Sequence, residues 1–279
     1  MWYLPDRHAL IAHAAEGVPD IDLVCAIPTA TDTPEDTLRA TSVMVNAGAR
    51  VLITHGGDGT NRLVALRAGN VPLLPLAAGT NNVFPLSIEA TAAGFAAGVI
   101  ATGLVDDSCT YQHKRICVCV DEQEEYALVD AAVLSDETVG SRAVWEAERV
   151  VACMVTRAAP GAVGLSGLAG ALVTVPPSGP GGAYLEMGAG IDILALIAPG
   201  KPAHAAVRSV RRLVVGDSVT LGPVRGILTL DGERHLPLRN QRVTLTLQAD
   251  GPRVVDVAAS LAQAQRRGAF RVALPRSTC

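Results

Sequence analysis

The chain has 279 residues, 49% of them hydrophobic, 18% charged and 3% aromatic, and its 23 basic side chains face 27 acidic ones for a net charge of -4. That apolar content excludes a disordered chain, and the acidic balance, with Lys114 and Lys201 as the only lysines, excludes a general nucleic-acid binder, which needs a basic excess to neutralise phosphates. So few aromatic residues also exclude a base-stacking platform and the aromatic belts of a membrane protein. The opening Met1-Trp2-Tyr3-Leu4-Pro5-Asp6 has no basic segment followed by an apolar run, so no secretory leader is expected. Six dispersed cysteines in a chain of this size are expected as free thiols of a cytoplasmic protein. The uncharged stretch between Arg157 and Glu186 is long enough to span a bilayer. It is interrupted by Pro160, Gly161, Gly164, Gly167 and Gly170, and then by Pro176-Pro177, so it reads as buried backbone of a soluble protein.

In chain order, Asp6–Glu16 reads as a short helix and Asp22–Ile27 as a buried strand. Thr33-Pro34-Glu35-Asp36 opens a helix, with Thr33 as cap, Pro34 in the first turn and Asp36 three residues on; Gly48 supplies its stop. Val51–Thr54 is a strand, His55–Thr60 a turn, and the next helix runs through Arg67. Val71–Leu76 is a strand made short or irregular by Pro75, and a helix follows over Ser87–Ala101. Strand, turn, helix repeated in this way predicts a parallel sheet with crossovers. Beyond Gly103 the pattern turns β-rich. Arg115–Val120 and Tyr126–Leu134 read as a hairpin, Thr138–Thr156 as a helix around Trp145, and short strands are expected over 170–175, 184–187, 191–197, 218–221, 226–230 and 242–248. Val257–Arg267 is a closing helix and Phe270–Leu274 a last strand. The expectation is an α/β domain over residues 1–107 and a β-rich domain over 108–279.

The sharpest chemical signal is Gly56-Gly57-Asp58-Gly59-Thr60, between a strand and a helix. Three glycines allow close approach of backbone to an anion, and amides at a helix start point at phosphate oxygens. Asp58 then stands at the carboxyl end of a strand, where open α/β sheets hold ligands, and can accept a hydroxyl proton or help hold a metal. The plain alternative is a tight Asp-Gly turn. Gly79-Thr80-Asn81-Asn82 repeats the geometry after the next strand and offers uncharged hydrogen bonds to phosphate or ribose. Taken alone it is equally a turn and helix cap. No Gly-x-x-x-x-Gly-Lys loop and no Gly-x-Gly-x-x-Gly fingerprint occurs, and Gly164-Leu165-Ser166-Gly167 ends in Leu168 where a nucleophile elbow needs glycine. Cys117-Val118-Cys119 with His113 nearby reads as structural rather than as zinc-binding, which takes about four ligands. His55 beside the glycine loop is equally a phosphate contact or a structural histidine. Arg142, Arg149 and Arg157 could reach a phosphate or line a solvated helix face.

These two loops, continued by Val83-Phe84, resemble the NAD kinase and diacylglycerol kinase superfamily, and within it the branch called ATP-NAD kinase-like acetoin-catabolism protein X. Leu194–Gly200 resembles the family's strand with an Ile-Ala-Pro turn, and Leu228–Glu233 its late Asp-Gly element. The resemblance covers about Thr33 to Val257. It implies a nucleotide-binding α/β domain followed by a β-rich domain, with the active site between them and ATP and Mg²⁺ as cofactors. It also implies transfer of a phosphoryl group to a hydroxyl of a small molecule, nominally NAD, and assembly as a homodimer or larger homo-oligomer. By the same resemblance Asp58 matches the catalytic aspartate, with Glu233 as second choice for the base. Gly56, Gly57, Gly59, Thr60, Gly79, Thr80, Asn81 and Asn82 match the nucleotide and phosphate loops, and Asp130 and Asp231 the substrate side. The chain departs from the family in three places. It begins after the usual Asn-Pro-x-Ser-Gly phosphate loop, carries Val129 where NAD kinases carry Asn, and lacks their Thr/Ser-rich run, for which Pro176–Gly179 is the nearest approach. Those departures weaken NAD as acceptor more than they weaken kinase chemistry. A nucleotide sensor without catalysis and a lipid kinase are the alternatives, the latter without any amphipathic basic helix to support it.

Overall fold

A computed structural model describes residues 1–79, 82–135, 147–198 and 200–271. The chain opens with β1 (Trp2–Tyr3), α1 (Leu10–Ala15) and β2 (Val24–Cys25), β1 and β2 pairing in parallel as a sheet of their own. The expected buried strand over 22–27 therefore shrinks to two residues, neither of them buried. With one two-residue partner the ladder cannot propagate, and it is Ala26 and Ile27, just beyond, that pack against Ala40. Ala40 lies in α2 (Pro34–Asn46), which starts as its sequence implies. The Asp36 carboxylate accepts from the Thr31 amide at 2.6 Å and the Thr33 amide at 3.4 Å, and Gly48 takes the left-handed stop at φ +83°.

Next come β3 (Leu52–Gly56), α3 (Asp58–Ala68), β4 (Leu73–Ala77) and α4 (Ala90–Ala101). β3 and β4 run parallel and in unbroken register from Leu52 opposite Leu73 to Gly56 opposite Ala77. Pro75 is accommodated without irregularity because the strand on its other side meets β4 only at Leu73. Beyond that point the Leu86 amide donates to the Pro75 carbonyl at 2.8 Å. The helix expected from Ser87 begins at Ala90, because the Glu89 carboxylate caps it by accepting from the Thr91 and Ala92 amides.

β5 (Thr110–Gln112) is followed by β6 (Arg115–Val120), β7 (Gln123–Ala127), β8 (Asp130–Leu134), β9 (Val150–Val155) and α5 (Gly164–Gly170). The long strands β10 (Gly181–Ala198), β11 (Lys201–Val214), β12 (Ser218–Leu230) and β13 (Arg234–Gln248) come next, followed by β14 (Arg253–Val255) and α6 (Val257–Arg266). Eight strands form one antiparallel sheet in the order β11-β10-β9-β8-β12-β13-β6-β7. The parallel sheet has the order β3-β4-β14-β5, with β5 antiparallel at its edge. The C-terminal β14 and α6 thus return to the α/β half: Val255 and Val257 pack with Ala93, Ala96 and Ala97 of α4.

Several expectations are corrected. Tyr126–Leu134 is two strands, broken at Leu128–Val129, where the amides turn to a buried carboxylate described below. The helix expected over 138–156 is a strand from Val150 to Val155: Val-Val-Ala-Cys-Met-Val suits the middle of a sheet, paired on both flanks. Residues 136–146, including Arg142 and Trp145, lie outside the described residues. Tyr184–Met187 and Ile191–Ile197 are one strand with a bulge between Met187 and Ile191, and Ser218–Leu221 and Gly226–Leu230 are likewise joined across a bulge before Val224. Of 170–175 only a bridge from Val175 to Ala158 is extended, the start of that stretch being the end of α5. The last strand does not begin at Phe270, which sits in a turn, and 272–274 lie outside the described residues. β11 and β14 had no signal in the sequence. β11 is an edge strand carrying Lys201, His204, Arg208, Arg211 and Arg212, which mask its alternation, and β14 has three residues.

The bulges let the long strands bend, and the antiparallel sheet folds over one of its own faces. Ile116, Val118, Met154, Leu228, Leu230, Leu245 and Leu247 pack there without any helix. Gly182 of β10 is part of that closure, since a Cβ there would sit 2.8 Å from Leu247 Cδ2. The opposite face, with Ala132, Cys153, Val155 and Ile227, is covered by Leu165, Leu168 and Ala169 of the buried α5. Among the described residues no helix is long and apolar enough to cross a membrane. Leu228 is fully buried in the helix-free layer. Leu228→Ala is expected to cost about 2–5 kcal/mol, read as a lower denaturant midpoint at unchanged slope.

Candidate functional site

Gly56 closes β3 and Asp58 opens α3, so the expected strand-turn-helix carries the first loop. The Asp58 carboxylate is buried and faces the second loop. Its Oδ1 accepts from the Phe84 amide at 2.7 Å, and both oxygens take the Val83 amide at 3.1 Å. Burial pushes the Asp58 carboxyl above its usual range; the two amides and the nearby Arg157 oppose this, and Glu233 adds to it. Inside α3 the fully buried Asn61 fixes the turn. It accepts from the Thr54 hydroxyl at 2.5 Å and donates to the Gly57 carbonyl at 2.8 Å.

The glycines have separate physical reasons. A Cβ on Gly56 would lie 2.8 Å from Thr60 Cβ, so this glycine makes room for the threonine folded back over it. A Cβ on Gly57 would lie 3.1 Å from both Asn82 Oδ1 and Glu233 Oε1, and one on Gly59 1.8 Å from Glu233 Oε2. Glu233, from the turn between β12 and β13, therefore lies directly on the loop, with its side chain exposed. Asn82 donates to the Gly79 carbonyl at 3.2 Å, which folds the second loop toward Gly57. Thr80 and Asn81 lie outside the described residues. His55 is exposed on β3 and shares no hydrogen bond with the loop.

Asp231 and Asp130 sit deeper. Asp231 takes φ +51° in the β12–β13 turn, and its carboxylate accepts from the amides of Leu128, Val129 and Asp130 at 2.8–3.3 Å. This is what breaks β7 from β8. The Asp231 amide in turn donates to the Asp130 carbonyl at 2.9 Å. Burial pushes Asp231 up to about 7 against those amides, with Asp58 raising it further and Arg62 lowering it. Arg62, from the second turn of α3, is its counter-ion at 3.6 Å. Asp130 is pushed well above its usual range by burial and by the charges of Asp231 and Asp58. Four carboxyl groups thus meet where α3, the Gly79–Phe84 loop and the ends of β8 and β12 come together.

Two residues acquire roles that the sequence did not disclose. Arg62 has no motif around it. Arg157, just after β9, is half-buried rather than solvated: one guanidinium nitrogen donates to the Val83 carbonyl at 2.7 Å and the other to His113 Nε2 at 2.7 Å. Both ring nitrogens of His113 are engaged, Nδ1 with the Lys114 carbonyl and Nε2 with Arg157. Among the described residues no group of three or more His, Cys, Asp or Glu is arranged to hold a metal ion by itself.

Fold and site together define a mixed α/β protein in which a parallel sheet and a large antiparallel sheet meet at a glycine-lined, carboxylate-rich junction. Residues 114–250 match the family described as the acetoin catabolism protein X C-terminal domain. The chain is also 35% identical over 289 residues to "Acetoin catabolism protein X" of Cupriavidus necator, with 96% of this chain and 80% of that protein covered. The chain belongs to the acetoin catabolism protein X family.

Removing the contact between Gly59 and Glu233 tests the packing of the loop. In a Glu233→Ala background, Gly59→Ala is expected to stabilise α3 by up to about 1 kcal/mol, the ordinary helix preference for alanine. In the native background the clash cancels that gain, and a double-mutant cycle by urea unfolding reads the difference. A second expectation concerns pH. Asp231 holds its proton to about 7 in the folded chain against 3.8 as reference, so the folded state binds more protons between those values. Stability from this group is full below about 3.8 and is lost as pH rises through about 7. Asp231→Asn should make the fall in thermal midpoint from pH 4 to 7 shallower than in the native chain; an equal fall would exclude Asp231 as its source.

Proposed function

We propose that this protein is an ATP-dependent phosphotransferase of the NAD-kinase-like superfamily that phosphorylates a hydroxyl of a small molecule, in the context of acetoin catabolism. The observation that carries the reading is the Asp58 carboxylate. It is buried at the start of a helix, raised in pKa, and gripped by two amides through Oδ1 while Oδ2 shares only the longer Val83 contact. A carboxylate with free lone pairs and a raised pKa suits a general base for an attacking hydroxyl. The first-turn amides of α3 lack intrahelical acceptors and, beside three glycines, suit phosphate oxygens. The acetoin context rests on the name of the relative from Cupriavidus necator.

The donor set also fits Mg²⁺, which takes one or two carboxylates and fills its remaining positions with phosphate and water. Glu233, exposed on the loop, with Asp58 behind it, would hold the ion, which when bound supplies neutralisation of charge on the phosphates. Asp58 orients the second loop and takes the hydroxyl proton at Oδ2. Val83 and Phe84 hold its other oxygen, and the glycines admit the phosphates. Val129 offers no side-chain hydrogen bond, and its amide is already committed to Asp231, which supports a smaller acceptor than NAD. The same fold could serve as a nucleotide sensor, and the assay separates the two.

The test is ATP consumption with Mg²⁺ against acetoin, NAD and a panel of other hydroxylated metabolites. Turnover with a small hydroxyl compound that falls about 10²–10⁴-fold in Asp58→Asn is the expected result. Nucleotide-induced thermal stabilisation without turnover on any acceptor overturns the enzyme in favour of a sensor.

A further inference from the structure

The peptide units of Val83 and Phe84 are held from both sides. Their amides donate to Asp58. Their carbonyls face the Arg157 guanidinium, with Nη1 donating to Val83 O at 2.7 Å and reaching Phe84 O at 3.5 Å. The other end of the fork, Nη2, donates to His113 Nε2 at 2.7 Å. A guanidinium has no acceptor, so Nε2 must accept; the proton of a neutral imidazole then sits on Nδ1, which donates to the Lys114 carbonyl at 2.5 Å. Burial, with Arg157 beside it, holds His113 down at about 3, so the ring stays neutral across the physiological range. Phe84 closes the arrangement, its ring meeting the His113 ring edge-on with centroids 4.9 Å apart and lying 5.5 Å from the guanidinium carbon. The preceding residue is fixed as well: the Thr156 amide and hydroxyl donate to the Val129 and Leu128 carbonyls at 2.8 and 2.6 Å.

From this geometry we infer that Arg157, seated on His113, is a positioning residue that clamps the Val83–Phe84 peptides against Asp58. Drawing a guanidinium largely out of water is costly, and no ion pair with Asp58 repays it directly. What the planar fork provides is two donors at a fixed spacing, one for the loop and one for the histidine. The inference rests on the proposed function only for the importance of Asp58. Its test reads amide exchange, so it can fail while the kinase reading stands, and the reverse.

The experiment is NMR on the labelled full chain. In Arg157→Gln the Val83 and Phe84 amides are expected to exchange about tenfold faster or more, the scale of a lost charge-assisted hydrogen bond, while Val118 and Met154 in the antiparallel core stay protected. Arg157→Lys should likewise leave the loop amides faster, because an ammonium cannot span both acceptors. Unchanged exchange at Val83 and Phe84, or loss of protection spread equally through Val118 and Met154, overturns the assignment. If Arg157→Gln does not fold, His113→Phe keeps the aromatic contact and removes the acceptor for Arg157 together with the Nδ1 donor to the Lys114 carbonyl. Faster exchange confined to Val83 and Phe84 is then expected, and native exchange there overturns the seat.

Discussion

The structure turns on carboxylates bound by backbone amides at breaks in the chain. Asp58 takes the amides of Val83 and Phe84, and Asp231 those of Leu128, Val129 and Asp130. Each satisfies peptide groups outside any strand ladder, and a buried peptide group left unpaired costs about 1–3 kcal/mol. The two carboxylates also tie the layers together. Asp58 belongs to the parallel-sheet half and Asp231 to the antiparallel sheet, and Arg62 of α3 reaches across to Asp231. Leu128 and Val129 then pack with Leu52, Val64, Leu73 and Phe84 in one core. Placement of the sheets and placement of the acids are the same event.

Such a junction is electrostatically expensive. Asp58, Asp130 and Asp231 all lie in surroundings that disfavour their charged forms, and for each the largest cause is burial. An arrangement optimised for stability alone would replace them with apolar side chains of similar volume. Groups whose proton affinity is moved toward neutrality by burial and mutual repulsion are typical of functional sites. Among the described residues, Arg62 serves Asp231, and Arg157 serves the loop that serves Asp58.

Much of the first hundred residues could be read from the sequence because its rules are local. Pro34, Asp36 and Gly48 bound α2 through contacts within a few residues, and the apolar runs before the glycine loops gave β3 and β4. The β-rich part was harder. Bulges joined runs that looked separate, Val150–Val155 depended on two flanking strands for its state, and the basic β11 was invisible without the sheet edge it occupies.

For the site, the sequence by itself determined that Gly56–Thr60 would form a strand-turn-helix loop with Asp58 at its centre, because turn and helix-start chemistry is written within a few residues. Only the tertiary structure decided what the loop touches. Gly57 and Gly59 are small because Glu233 lies on them, and Asp231 reaches Leu128 across 103 positions. Arg157 reaches Val83 across 74. Contacts at that separation depend on how two sheets dock, and docking is set by the sum of many buried surfaces rather than by any run of residues. Arginine and glycine look alike wherever they occur in a chain; the partners that the fold brings to them make one a clamp and the other a seat.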